Sequence, residues 1–410
     1  MHLYTVRKDE TLADVAAKFN TTIKRIVVDN GLITSMPFVE GQILSIVEPT
    51  SVYTASNGES VRDIARSLSV DIIELLQNNH DLSLRGTAYN GQELVAQKKK
   101  KNTDQTKIIS SISPKINHEE LVRVLPFLTY ASIRSCILRS DGSVFCINDN
   151  EKEMKALARE YSVMPILEVR GVRSKGEDWN RTIVGYDSIS RTANNIKQSV
   201  LSGGYGGLHL NLGELDAEYT DGFIELVATL KALLSDWGTT VFVSLPKTEV
   251  MNTDVELLGE NCDRMILSPS GLLDVLEIED LIHLLSEVID SQKLSVTFPM
   301  SAIDCAMDNK GKCIRKESLS SAQALRLSVE KNAKTVYDET DYLAKYAYVD
   351  MEMGKAVEHR VSYQSPMSAF KLLELAKKYK TNFISVCHAN SFFDSFWSMM
   401  TSYCGIEKLI

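Results

Sequence analysis

Leu208, Leu210 and Leu212 alternate with Gly207, His209, Asn211 and Gly213 in "SGGYGGLHLNLGEL", the period-two pattern of a strand. Helical runs flank this stretch, "TANNIKQSVLSG" before it and "EYTDGFIELVATLKALLSDWG" after it, which predicts a parallel βαβ unit. Short apolar runs of the same kind recur from Lys107 onward: "KIISSIS", "YASIRSCIL", "MPILEVR", "TVFVSLP", "DRMILSP", "KLSVTFP" and "NFISVCH". Helical patterns over 151–160, 189–201, 216–236, 278–289 and 366–379 separate them. Eight strands alternating with helices predict an α/β fold, a (β/α)8 barrel over 107–410. The extra length, about 301–362, reads as a β-rich insertion of α+β type. Active-site groups in such barrels sit at the C-terminal strand ends, where His209, Asn211 and Gly213 are expected to face inward.

The first hundred residues carry an internal repeat. "YTVRKDETLADVAAKF" from Tyr4 returns as "YTASNGESVRDIARSL" from Tyr53, "RIVVDN" as "ELLQNN", and "EGQIL" as "NGQEL". Each copy reads as strand, helix, helix, strand, which predicts two small βααβ modules over 2–48 and 51–96. Thr11 and Ser60 are placed as helix N-caps. The lysine-rich "QKKKKNTDQT", 97–106, is expected to be a solvated linker.

A net charge of −9 argues against general nucleic-acid binding, which needs a basic surface. No apolar stretch reaches the roughly 20 residues of a membrane span. No signal peptide is legible at the N-terminus, so synthesis in a cytoplasm is expected. Seven cysteines at scattered spacings predict mostly reduced core residues and no disulfide framework. No ligand spacing points to a metal, and no cofactor is expected. Trp237 and Trp397 are expected to pack, whereas Trp179, in the loop "SKGEDWNRT", is nominated as a sugar contact on the barrel's functional face.

The two repeats resemble LysM modules, βααβ domains that bind N-acetylglucosamine polymers such as peptidoglycan and chitin. The likeness rests on the tyrosine-led strand, the "DETL" and "GES" turns, the asparagine ending the second helix and the "GQ" before the last strand. It implies one groove formed by Glu10, Thr11 and Leu12 with Asn30, Leu32 and Ile33. A second would be formed by Glu59, Ser60 and Val61 with Asn79, Asp81 and Leu82. By position alone, Asn30 and Asn79 are also helix-end residues.

From about Ile108 to the C-terminus the chain resembles glycoside hydrolase family 18, in particular its LysM-bearing spore-cortex N-acetylglucosaminidases. "RVLPFLTYASIRSCILRSDGSVFCIND", "VFVSLPKT", "VYDETDYLAKYAYVD" and "NFISVCHA" carry the likeness. The family's DGxDxDxE strand falls on Gly206–Gly213, where the resemblance puts the general acid at the last position and the acetamido-orienting carboxylate two residues earlier. Here those positions are Gly213 and Asn211. Other family positions also depart: "ILSPS" leaves Ser268 and Ser270, Ser301 stands for a tyrosine, and Cys387, beside His388, stands where a tryptophan floors the sugar.

These departures predict a pseudoenzyme with no catalytic residues: a wall-glycan binder whose cleft candidates are His209, Asn211, Ser270, Trp179 and His388. The resemblance implies deposition at the spore cortex or coat of an endospore-forming bacterium, with peptidoglycan or another N-acetylglucosamine polymer as partner. Two alternatives stay open. The barrel is an active N-acetylglucosaminidase using Glu214 from a bulged strand, or a scaffold that contacts spore-coat proteins.

Overall fold

The computed structural model describes every residue except 34–37, 57, 101–103, 148–149, 175, 269–274, 388, 390–392 and 410, and also leaves out the Ser268 side chain. Ser270 and His388 therefore lie outside the described residues.

Eight parallel strands form the barrel: β1 (Gln105–Ile112), β2 (Tyr130–Leu138), β3 (Met164–Gly171), β4 (Gly207–Leu210), β5 (Thr240–Pro246), β6 (Arg264–Ser268), β7 (Leu294–Phe298) and β8 (Phe383–Val386). Each pairs with its sequence neighbours and β1 pairs with both β2 and β8, so the sheet closes. Helix α1 (His118–Val124) follows β1, while α2 (Tyr186–Gly203) and α3 (Thr220–Ser235) bracket β4. A five-stranded antiparallel sheet within 301–363, with helix α4 (Ser321–Glu330), is inserted between β7 and β8. Helix α5 (Asp394–Tyr403) follows β8. The fold expected from the alternation is thus present. Helix α2 illustrates why: Ile189, Ala193, Ile196 and Val200 recur at helical spacing and are buried as one stripe.

The barrel interior is layered. Ile109, Tyr130, Ile166, Phe242, Ile266 and Phe383, one from each of six strands, pack as an apolar plug toward the N-terminal ends. Two residues further along, the same inward face carries Ser111, Ser132, Glu168, Ser244 and Ser385. A polar layer therefore sits directly on the plug.

Three expectations are corrected. The strand at 207–213 ends at Leu210, and Gly213 lies beyond it with a left-handed φ of +84°. Cys136 and Cys146, opposite each other between β2 and the short strand Val144–Cys146, form a disulfide with Cα atoms 4.1 Å apart; the other five cysteines are free. The run 97–106 is not a solvated linker throughout, because the second repeat's last strand extends to Lys98, which is buried.

Both repeats fold as βααβ units against the barrel. Helix α5 is the main contact: Ser45 Oγ donates to the Ser395 carbonyl at 2.9 Å, Ser398 Oγ to the Asp29 carbonyl at 3.0 Å, and Lys98 Nζ to Thr401 Oγ1 at 2.5 Å. Gln77 donates to the Pro126 carbonyl, and the Leu84 N–H to Tyr161 Oη. Burial pulls the Lys98 ammonium down to about 7 despite the nearby Asp29 carboxylate, and burial does the same to Lys408. Unfolded lysine titrates near 10.4, so between about pH 7 and 10 the unfolded chain binds more protons and stability rises with pH. Lys98→Met is expected to flatten that rise by about half, Lys408 supplying the rest. Urea midpoints at pH 7 and pH 9 check it, and an unchanged pH slope would contradict it.

Candidate functional site

Where β3 and β4 approach the barrel mouth, the polar layer closes on Glu168. Its side chain is fully buried. One carboxylate oxygen accepts from Ser111 Oγ at 2.5 Å and Ser132 Oγ at 3.1 Å, and the other from Asn211 Nδ2 at 3.0 Å. His209 stands 3.8 Å away, between Ser132 (Nδ1, 2.7 Å) and Ser244 (Nε2, 2.7 Å). Burial lowers the His209 pKa, with the Glu168 charge opposing, so the ring is neutral at pH 7. One proton arrangement satisfies the chain: Ser132 donates to Glu168, His209 Nδ1–H to Ser132, and Ser244 to His209 Nε2. Cys387 borders the same layer, its thiol pushed up to about 12 by burial and then by the Glu168 charge. These groups saturate one another; the carboxylate has no free approach for an incoming glycosidic oxygen.

Above this layer the chain leaves the strand. Asn211 is half-buried and turned down onto Glu168, while Gly213 is exposed and nothing lies within 4 Å of where a Cβ would sit. Glu214 points to solvent with its side chain 78% exposed, 3.7 Å from Arg173, whose guanidinium also pairs with Asp216. No bulge brings Glu214 to the mouth.

Trp179 is corrected from surface platform to core residue, being 1% exposed. Its ring lies on Gly171, where a Cβ would meet Trp179 Cδ1 at 2.3 Å, and meets Phe223 edge-on at 6.2 Å. Trp237 is corrected the other way: it is 64% exposed, whereas Trp397 is buried against Phe127 and Phe396.

In the repeats, the asparagines are clasps. Asn30 Nδ2 donates to the Ile26 and Ser45 carbonyls and its Oδ1 accepts the Ser45 N–H. Asn79 repeats the pattern with Leu75 and Val95. Each ties the second helix to the last strand, and neither amide is available to a sugar. Glu10 and Glu59 are equally occupied, by Tyr4 Oη with the Arg7 N–H and by Tyr53 Oη with the Ser56 N–H. Thr11 and Ser60 cap their helices through Asp14 and Asp63. Leu12 packs on the first repeat's core, Val61 is fully buried and Leu82 partly so. Asp81 accepts from Gln92 Nε2 at 2.9 Å. Leu32 and the 53% exposed Ile33 face a cleft toward the barrel.

The family model described as LysM domain matches residues 4–47, the strand–helix–helix–strand just described. The first repeat is a LysM domain. No curated protein sequence matches the chain. Among solved structures, the spore cortex-lytic enzyme SleL of Bacillus cereus superposes with a TM-score of 0.78 at 21% identity, over 100% of this chain and 99% of that one. SleL of Bacillus megaterium QM B1551 gives 0.78 at 18% identity, with the same coverages. A chitinase from Chromobacterium violaceum gives 0.63 at 15%, over 72% of this chain and 98% of its own. The LysM module, second repeat and barrel thus share one fold, along their whole length, with cortex-lytic enzymes.

Glu168 is the site residue that sequence reasoning missed. Its signal was available: in "MPILEVR" it lies two residues after Ile166, so it shares the inward face. His209 is where the alternation put it, packed inside the barrel.

Proposed function

We propose that this chain binds N-acetylglucosamine-containing wall glycan and that its barrel does not hydrolyse it. The observation that carries this reading is the rim of β4. The position that the resemblance gives to the general acid is Gly213, which has no proton to donate, and the orienting position is Asn211, bonded to Glu168. A missing general acid alone costs about 10²–10⁴ in rate. Glu214 is turned to solvent and Glu168 is enclosed, so neither nearby carboxylate takes over. Binding is supported by the LysM module and by the repeat that copies it. Whole-length likeness to cortex-lytic enzymes of two bacilli supports a spore setting and peptidoglycan as the polymer.

The chain is expected to co-sediment with purified cortex peptidoglycan and with chitin, and not with cellulose, which lacks the acetamido group. Equal retention by cellulose, or none by either N-acetylated polymer, would contradict it.

A scaffold role is favoured by one observation. The tip of the hairpin Leu343–Glu352 and Lys355–Tyr363 presents Val349, Met351 and Met353 to solvent, each more than 60% exposed (64%, 66% and 104%). An apolar tip of this kind suits contact with a coat protein.

A further inference from the structure

The LysM module and the second repeat are not independent beads, and their helix-end loops meet at one place. Two adjoining clefts, of about 330 and 710 Å³, separate them from the barrel, and Gly31, Leu32, His80, Arg123 and Asp394 line both. Gly31 and His80 hold equivalent positions in the two copies, each following the clasp asparagine. The barrel contributes α1 on one side, and its insertion contributes the half-buried Leu325 and Val329 with the exposed Arg326 of α4 on the other.

Two buried polar side chains here have unused hydrogen-bonding capacity. The His80 side chain is 4% exposed, and among the described residues neither ring nitrogen has a partner at hydrogen-bond geometry; the Gln77 backbone and the Asp394 carboxylate, at 3.9 Å, are its near polar groups. Gln42 is 1% exposed and lines the smaller cleft. Its Oε1 accepts the Val39 N–H, but no described residue accepts from its Nε2. In the second repeat the equivalent Gln92 donates to Asp81, whose place in the LysM module is taken by Leu32. A buried imidazole without a full partner is less favourable than a paired one, and a ligand that pairs it recovers the difference.

We propose that this cleft is a composite subsite for one N-acetylated amino-sugar residue, built jointly by the LysM module, the second repeat and the barrel. It rests on the glycan-binding reading above. An acetamido group supplies what the walls lack: a carbonyl for Gln42 Nε2, an amide N–H, and a methyl for Leu32, Ile33 and Val329. Burial, with the positive charges of Lys98, Arg25 and Arg123 and against the Gln77 backbone, holds His80 well below its ordinary pKa, so the neutral ring keeps a nitrogen lone pair that a neutral ligand can use. Asp394, Glu120 and Glu330 line the cleft and disfavour an anion, while Arg123 is taken up by Asp394. The smaller volume lies at the low end of small-ligand pockets.

The test is calorimetric titration of the full chain with the N-acetylglucosamine pentamer and with its fully deacetylated counterpart. Val329→Trp and Arg326→Trp fill the cleft from the barrel side and touch neither repeat's core; circular dichroism and a melting curve check that each is folded. At least ten-fold weaker pentamer binding is expected in both variants. In the parent chain the deacetylated pentamer should bind at least ten-fold more weakly, and His80→Phe should shrink that preference. Parent-like binding by both tryptophan variants would overturn the composite cleft and leave LysM binding intact. No pentamer binding by the parent chain would overturn both.

Discussion

Trp179→Ala is expected to destabilise the barrel by about 3–5 kcal/mol, the usual cost of deleting a large buried aromatic. The ring is 1% exposed, is laid on Gly171 and faces Phe223 of α3, so its removal opens a void that three elements share. The backbone offers little relief, because the Trp179 N–H is bonded to the Val172 carbonyl and the neighbouring Asp178 caps the following turn. A urea titration reads the effect as a drop in midpoint at constant slope. A sugar platform behaves oppositely: truncation leaves the midpoint within about 0.5 kcal/mol of the parent and removes affinity instead. That second result would return Trp179 to the glycan-binding face.

Asn79→Ala is expected to cost about 2–4 kcal/mol, because it strands several buried backbone groups at once. Val95 loses the partners of both its N–H and its carbonyl, and the Leu75 carbonyl at the helix end loses its donor. Arg25 of the LysM module also reaches Asn79 Oδ1, at 3.4 Å, so the loss extends across the interface between the repeats. Asn79→Asp tests the geometry, since it keeps the acceptor for Val95 N–H but sets a carboxylate against two carbonyls; it should be no better than alanine. If either variant weakened pentamer binding while leaving the melting temperature unchanged, the asparagine would be a ligand contact and not a clasp.

Much of this architecture is legible in the sequence because its signals are periodic. Leu208 and Leu210 mark β4 as clearly as Leu167 and Val169 mark β3, and the tyrosine-led copies mark the repeats. What escapes is decided by distant contacts. Glu168 reads as a polar interruption in an apolar strand until the serines that bind it arrive from β1 and β2. Trp179 lies in a polar stretch, and only the bare Gly171 backbone beneath it makes a buried seat. Lys98 is one of four consecutive lysines, and only the strand pairing and Thr401 distinguish it from the exposed Lys99 and Lys100. Cys136 and Cys146 pair because a register sets them opposite each other, which spacing alone does not specify. The end of β4 at Leu210 depends on the positive φ at Gly213, a position the alternating pattern runs straight through.

The central proposal is that a barrel with the fold of cortex-lytic enzymes here holds glycan-binding modules without cutting glycan. The measurement that tests it most directly is release of reducing ends from purified spore cortex by the parent chain, followed alongside Glu214→Gln. The account predicts no release above the buffer control for either protein, with both retained on the insoluble cortex. Turnover by the parent chain that Glu214→Gln abolishes would contradict it, and would mean that the solvent-facing Glu214 swings into the barrel mouth when glycan binds.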